Sequence, residues 1–203
     1  MNDKTKYNPE IHHRRSIRLK GYDYSQVGLY FITVCCQDRE CLFGKINVGV
    51  ENFQPEMLLN EAGKIVDKCW LDIPKHFPNT VLHEHIVMPN HVHGIIELTD
   101  VPNVGIENFQ SLQQQRNESP HNEFQKIIPR SIGSIVKGFK IGVTKWFRNN
   151  PVCTYNHLLL HPQWKIWQRN YYERIIRNEQ SYQTISKYII NNPANWKGDK
   201  FFK

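Results

Sequence analysis

Thr80-Val81-Leu82-His83-Glu84-His85-Ile86-Val87-Met88, then Pro89-Asn90, then His91-Val92-His93-Gly94-Ile95-Ile96-Glu97-Leu98 reads as two strands joined by a tight turn. Both runs are rich in β-branched and apolar residues, and Pro-Asn is a turn dipeptide. Side chains alternate between faces along a strand. Leu82, Ile86, Val92, Ile96 and Leu98 are therefore expected on one face, backing onto helices. His83, His85, His91, His93 and Glu97 are expected on the other, which then needs a cover. His91 and His93, two apart, project side by side, near enough to share one metal ion.

Outward from this hairpin the chain alternates strands and helices. Val27 to Cys36 (VGLYFITVCC) is β-branched and aromatic and reads as a strand. Leu58 to Phe77 carries Leu58, Ala62, Ile65, Val66, Cys69, Trp70 and Ile73 at helical spacing. Ser131 to Arg148 is the clearest helix. Ile132, Ile135, Val136, Phe139, Val143, Trp146 and Phe147 form one stripe, with Lys137, Lys140, Thr144 and Arg148 opposite. Trp164 to Gln168 reads as a short strand, and a last helix starts at Asn178 or Glu179 and ends near Asn191, before Pro193. The resulting βαββαβ order predicts an α+β fold. Its ferredoxin-like antiparallel sheet is backed by two helices, with an added C-terminal helix as the natural cover for the histidine face.

Residues 1–26 read as a basic N-terminal arm and 27–203 as one domain. The heptapeptide Val48-Gly49-Val50-Glu51-Asn52-Phe53-Gln54 returns as Val104-Gly105-Ile106-Glu107-Asn108-Phe109-Gln110. The two copies are too irregularly spaced for a solenoid. They read as surface loops, the second within a mobile segment from about Thr99 to Pro129. The 203 residues carry 26 Lys plus Arg against 19 Asp plus Glu, a formal charge of +7 that favours a polyanionic partner. Five cysteines, an odd number without a Cys-x-x-Cys, suggest neither a disulfide framework nor a cysteine zinc site. With no apolar signal segment or membrane-length run, a cytoplasmic protein without membrane contact is expected.

On the last helix Ile185, Tyr188, Ile189 and Asn192 share one face. If that face covers the histidines, one site holds two imidazoles, a carboxamide and a phenol. Two imidazoles and an amide oxygen leave open positions on a divalent cation. This charge-poor set suits Mn²⁺ or Mg²⁺ at work on a phosphate. The phenol beside it could act as a nucleophile, leaving a phosphotyrosine. Tyr182 lies near the same stripe but has Ser186 one turn later, a poorer ligand.

The chain resembles the REP-associated tyrosine transposases, within the single-tyrosine HUH transposases. The matching segments are Arg15-Ser16-Ile17-Arg18-Leu19, Gly21-Tyr22-Asp23-Tyr24, Met88-Pro89-Asn90-His91-Val92-His93, Phe139-Lys140, Trp167-Gln168-Arg169-Asn170-Tyr171-Tyr172-Glu173 and Tyr188-Ile189-Ile190-Asn191-Asn192-Pro193. The resemblance implies cleavage and joining of single-stranded hairpin DNA through a 5′-phosphotyrosine with a divalent metal. It implies His91 and His93 as metal ligands, Tyr188 as nucleophile, and Asn192 as third ligand where many relatives carry Gln. Arg174 stands where relatives often carry His.

Charge points to Arg14, Arg15, Arg18 and Lys20 in the arm, with Lys137 and Lys140 on the helix, as phosphate-binding residues. Tyr22, Tyr24, Tyr171 and Tyr172 are candidates for stacking on unpaired bases, with packing beside Trp167 the alternative for the last two. Two other readings stay open at this level: a zinc hydrolase using three of His83, His85, His91 and His93, and a non-enzymatic nucleic-acid-binding module. The residues also leave open whether the site forms within one chain or by exchange of the last helix in a homodimer.

Overall fold

A computed structural model describes residues 19, 21–47, 54–100, 128–150 and 165–202. Its main sheet has four antiparallel strands: β1 (Gly28–Cys35), β4 (Thr80–Met88), β5 (His91–Leu98) and β6 (Tyr172–Ile176), in the spatial order β4-β5-β1-β6. A separate hairpin pairs β2 (Gly44–Asn47) with β3 (Glu56–Leu59). Helices α1 (Glu61–Leu71), the short α2 (Ile73–His76) and α3 (Ile132–Asn149) follow, and α4 (Glu179–Ile190) comes last. This is the α+β, ferredoxin-like βαββαβ arrangement with an added helix. The hairpin strands have the bounds that the sequence gives them.

Each long helix starts where a side chain can satisfy a free backbone N–H. Asn60 accepts from Gly63 N, Ser131 from Ser134 N and Asn178 from Ser181 N. The Asn60 cap explains one departure from the expected Leu58–Phe77 helix. Leu58 and Leu59 lie before the cap and pair in β3, so the helix begins at Glu61. The expected strand over 164–168 is a second departure. Trp164 lies outside the described residues, Trp167 makes one isolated bridge to Cys36, and the edge strand is instead Tyr172–Ile176. Lys140 shows why: its ammonium group donates to the carbonyls of Gln168 and Asn170 at 2.9 and 3.1 Å, tying that segment to α3 before β6 begins.

The main core lies between one sheet face and α1 and α3. Tyr30, Ile32, Val34, Val92, Ile96 and Leu98 pack there against Val66, Trp70, Ile132, Ile135, Phe139 and Val143. Gly94 makes room for this: a Cβ there would collide with the Trp70 indole. A smaller cluster of Ile95, Ile176, Ile185 and Ile189 seats α4 on the opposite face.

The expected alternation holds along β5 but not along β4. A register shift between Leu82 and His85 brings His85 opposite Gly94 and Ile86 opposite His93. This β-bulge exchanges the faces of the two residues. Ile86 joins the cluster under α4. His85 lies on the α1 side, stacked on Trp70 with Nε2 2.8 Å from an Asp67 oxygen.

Tyr22 and Tyr24, expected at a nucleic-acid surface, pack on each other and against Tyr30. Arg14, Arg15, Arg18 and Lys20, the repeated heptapeptides save Gln54, and most of the expected loop 99–129 lie outside the described residues.

Candidate metal and tyrosine site

His91 and His93 sit on β5 opposite Cys35 and Thr33 of β1, and both are almost fully buried. Neighbours orient each ring. The Asn90 side chain gives its N–H groups to the carbonyls of Arg39 and Phe201. Its Oδ1 therefore accepts from His91 Nδ1 at 2.8 Å. That fixes the His91 tautomer and leaves a lone pair on Nε2, which is buried with no hydrogen-bond partner. Thr33 Oγ1 and His93 Nδ1 share a bond of 2.8 Å, so His93 Nε2 also turns into the site. Burial pushes the His91 imidazole down to about 4. Burial and the neighbouring His91 hold His93 well below its ordinary value too. Both rings are neutral at pH 7, the state in which imidazole ligates a metal.

Helix α4 lies over this face. Glu84, turned toward the helix at the bulge, accepts from the Tyr182 and Ser186 hydroxyls at 3.1 and 3.0 Å. His83 bridges Tyr182 and Glu97. Anchored there, α4 brings the Tyr188 hydroxyl to 3.2 Å from His93 Nε2, with its ring edge-on to Phe31. Asn192, one turn later and buried, has an Oδ1 with no partner.

Asp199, which no sequence pattern singles out, completes the cluster. The chain turns back after α4 through Trp196–Gly198. Phe201 packs 4.8 Å from the His91 ring, centroid to centroid. Asp199 Oδ2 accepts from Tyr188 Oη at 2.9 Å and from Asn192 Nδ2 at 3.0 Å. Burial and this carboxylate raise the Tyr188 phenol above its ordinary value, so it is a protonated donor at rest. His91, His93 and Asp199 each offer a ligand atom within 4.8 Å of the others, the group of this kind found among the described residues.

Two imidazole nitrogens and the Asp199 carboxylate thus converge, with the Asn192 amide against that carboxylate, and His91 Nε2 and Asn192 Oδ1 are buried and unpartnered. A divalent cation fits this donor set. The four hairpin histidines, by contrast, do not meet: His85 is on the far face, and both His83 nitrogens are engaged.

Of the lysines expected on α3, Lys137 is exposed. Lys140 is half-buried against backbone carbonyls and beside the Tyr171 ring, and burial lowers its ammonium to about 8. Its donors are spent on the protein, so it offers a phosphate little.

The chain is 46% identical over 198 residues to an uncharacterized protein of Haemophilus influenzae, an alignment spanning 98% of each. The two belong to one family. No family model matches the chain. Among solved structures, a REP-associated tyrosine transposase bound to a REP hairpin is 17% identical. It aligns over 92% of this chain and 77% of its own, with a TM-score of 0.49. A candidate transposase of Deinococcus radiodurans is 19% identical over 87% of this chain and 97% of its own, with a TM-score of 0.41. Among the described residues no helix is long and apolar enough to cross a membrane.

Proposed function

We propose that this protein is a metal-dependent DNA strand transferase of the single-tyrosine transposase kind, acting on single-stranded or hairpin DNA. Tyr188 is the nucleophile and His91, His93 and Asn192 the metal ligands, with Asp199 as a further candidate ligand. The observation that carries the reading is the meeting of a tyrosine hydroxyl with two neutral, oriented histidines, 3.2 Å from one of them. The HUH resemblance supports it, as does the +7 charge of the chain.

The residues divide the work. His91 Nε2, His93 Nε2 and Asn192 Oδ1 would hold Mn²⁺ or Mg²⁺, whose contribution when bound is to polarise a phosphodiester oxygen. Asp199 Oδ2 already accepts from the Tyr188 hydroxyl and is placed to take its proton. Tyr188 Oη attacks phosphorus, an O–P bond forms, and the bond to the 3′ oxygen breaks. That oxygen leaves as a hydroxyl after gaining a proton. The 5′ end stays on the protein as a phosphotyrosine, and attack by another 3′ hydroxyl reverses the sequence. One ester replaces another at each step, so no ATP is needed. Such a protein would work in the cytoplasm, where thiols outside disulfides, such as those of Cys35, Cys36 and Cys69, persist.

The test is incubation with hairpin-bearing single-stranded DNA and Mn²⁺, followed by a denaturing gel. A protein–DNA adduct that disappears with chelator and in His91→Ala is expected. An adduct formed at full rate by His91→Ala in limiting Mn²⁺ contradicts the reading.

A further inference from the structure

Helix α4 does not cover the whole of the face on which the site lies. Antiparallel pairing lines the face up in rows. Tyr172 of β6 stands opposite Thr33 of β1, which is opposite His93. In the next row Arg174 stands opposite Phe31, which is opposite Ile95. The α4 cluster closes over Ile95, Ile176, Ile185 and Ile189. Tyr172, at the sheet edge, is 44% exposed, and Arg174 is exposed too. Phe31 is half-buried between them and the Tyr188 ring. Among the described residues no carboxylate pairs with Arg174. Lys200 holds its ammonium over the Tyr172 ring at 5.6 Å, so a second cation borders the same patch.

Resting on the reading of this site as strand-cleaving, we infer that the unpaired strand of the substrate crosses the sheet over β1 and β6. Arg174 binds a phosphate, and Tyr172, whose ring packs 5.9 Å from that of Phe201, stacks under the bases next to the scissile one. The chemistry selects this occupant. Aromatic rings stack on any base whose face is free, which a duplex does not offer, and the cations at the patch meet the backbone. The rows run from the sheet edge to the Tyr188 hydroxyl, so a strand lying along them delivers its phosphate to the nucleophile.

The experiment is fluorescence anisotropy with a labelled oligothymidylate of about 12 nucleotides, within the span such grooves hold, in chelator so that no cleavage occurs. Tyr172→Leu is expected to weaken binding by about 5- to 150-fold, the worth of one stacked base, and Tyr172→Phe to restore it. Arg174→Ala should lower the slope of log affinity against log salt by about 0.7, the share of one single-strand phosphate. Wild-type affinity in Tyr172→Leu with an unchanged slope in Arg174→Ala overturns the path, and leaves strand cleavage standing if the adduct still forms. A dimer held through β6, whose mass rather than DNA affinity responds to Arg174→Ala, also overturns it. Weakened binding in both variants, in a protein that forms no adduct, upholds the path and removes the cleavage reading instead.

Discussion

His91 and His93 show what a pair of buried neutral imidazoles does to a protein. The folded state resists protonating them, whereas an unfolded chain takes up each proton near pH 6.5. Burial places His91 at about 4 and pushes His93 in the same direction. Between pH 6.5 and about 4 the unfolded state therefore binds more protons. Stability is fully present above that window and falls as the pH drops through it, by about 1.4 kcal/mol per pH unit for each ring. Urea midpoints at pH 7.5 and 5 should differ accordingly, and His91→Phe should shrink the difference. An equal midpoint at both pH values would mean the rings are accessible to protons. The two histidines, Tyr188 and Asn192 were legible in the sequence because strand and helix periods fix which residues share a face. Asp199 was not, since it reaches the site through an aperiodic turn after α4, where no spacing rule applies.

Helix α4 owes its register to the bulge in β4. Without the extra residue, either His83 or Glu84 would face α1, and Tyr182 and Ser186 would lose their shared acceptor. Glu84→Ala should cost about 1–3 kcal/mol, as two part-buried hydroxyls lose that carboxylate, and should slow adduct formation while leaving oligonucleotide affinity unchanged. Thermal melts and single-turnover gels read the two effects, and unaltered adduct kinetics would detach Glu84 from the positioning of Tyr188. Gly94→Ala should destabilise by about 1–3 kcal/mol, because the added methyl meets the Trp70 ring inside the main core. A melting temperature equal to the wild type would mean Trp70 can move aside. Element type was readable for both hairpin strands and α3, where apolar periodicity is long and unbroken. Face is not legible at His85 and Ile86, since a bulge shifts the period by one and leaves no composition signal. The β6 strand is hidden for a different reason: Tyr172-Glu173-Arg174 looks polar when only one side of an edge strand is packed.

At the scale of the whole molecule the formal charge is +7, while the candidate ligands are neutral groups and one carboxylate, with Lys200 and Arg174 beside them. On the proposed reading, the rest of the affinity for DNA comes from cations elsewhere. Removing residues 1–20 together with Lys137→Ala should lower the salt slope of DNA binding by about 0.7–0.9 for each phosphate that is no longer neutralised. The same change should leave the folded domain's melting temperature nearly intact, and an unchanged slope would mean these charges only face solvent. Everything proposed for the site turns on one bond, between Tyr188 and a 5′ phosphate. Tyr182 is spent on Glu84, and Tyr172 lies at the sheet edge, so neither competes for that role. Peptide mapping by mass spectrometry of the adduct formed with hairpin DNA and Mn²⁺ measures that bond directly. A nucleotide mass is predicted on the peptide containing Tyr188, and none in Tyr188→Phe, which still binds DNA. A nucleotide on any other residue, or an adduct that persists in Tyr188→Phe, would contradict the assignment.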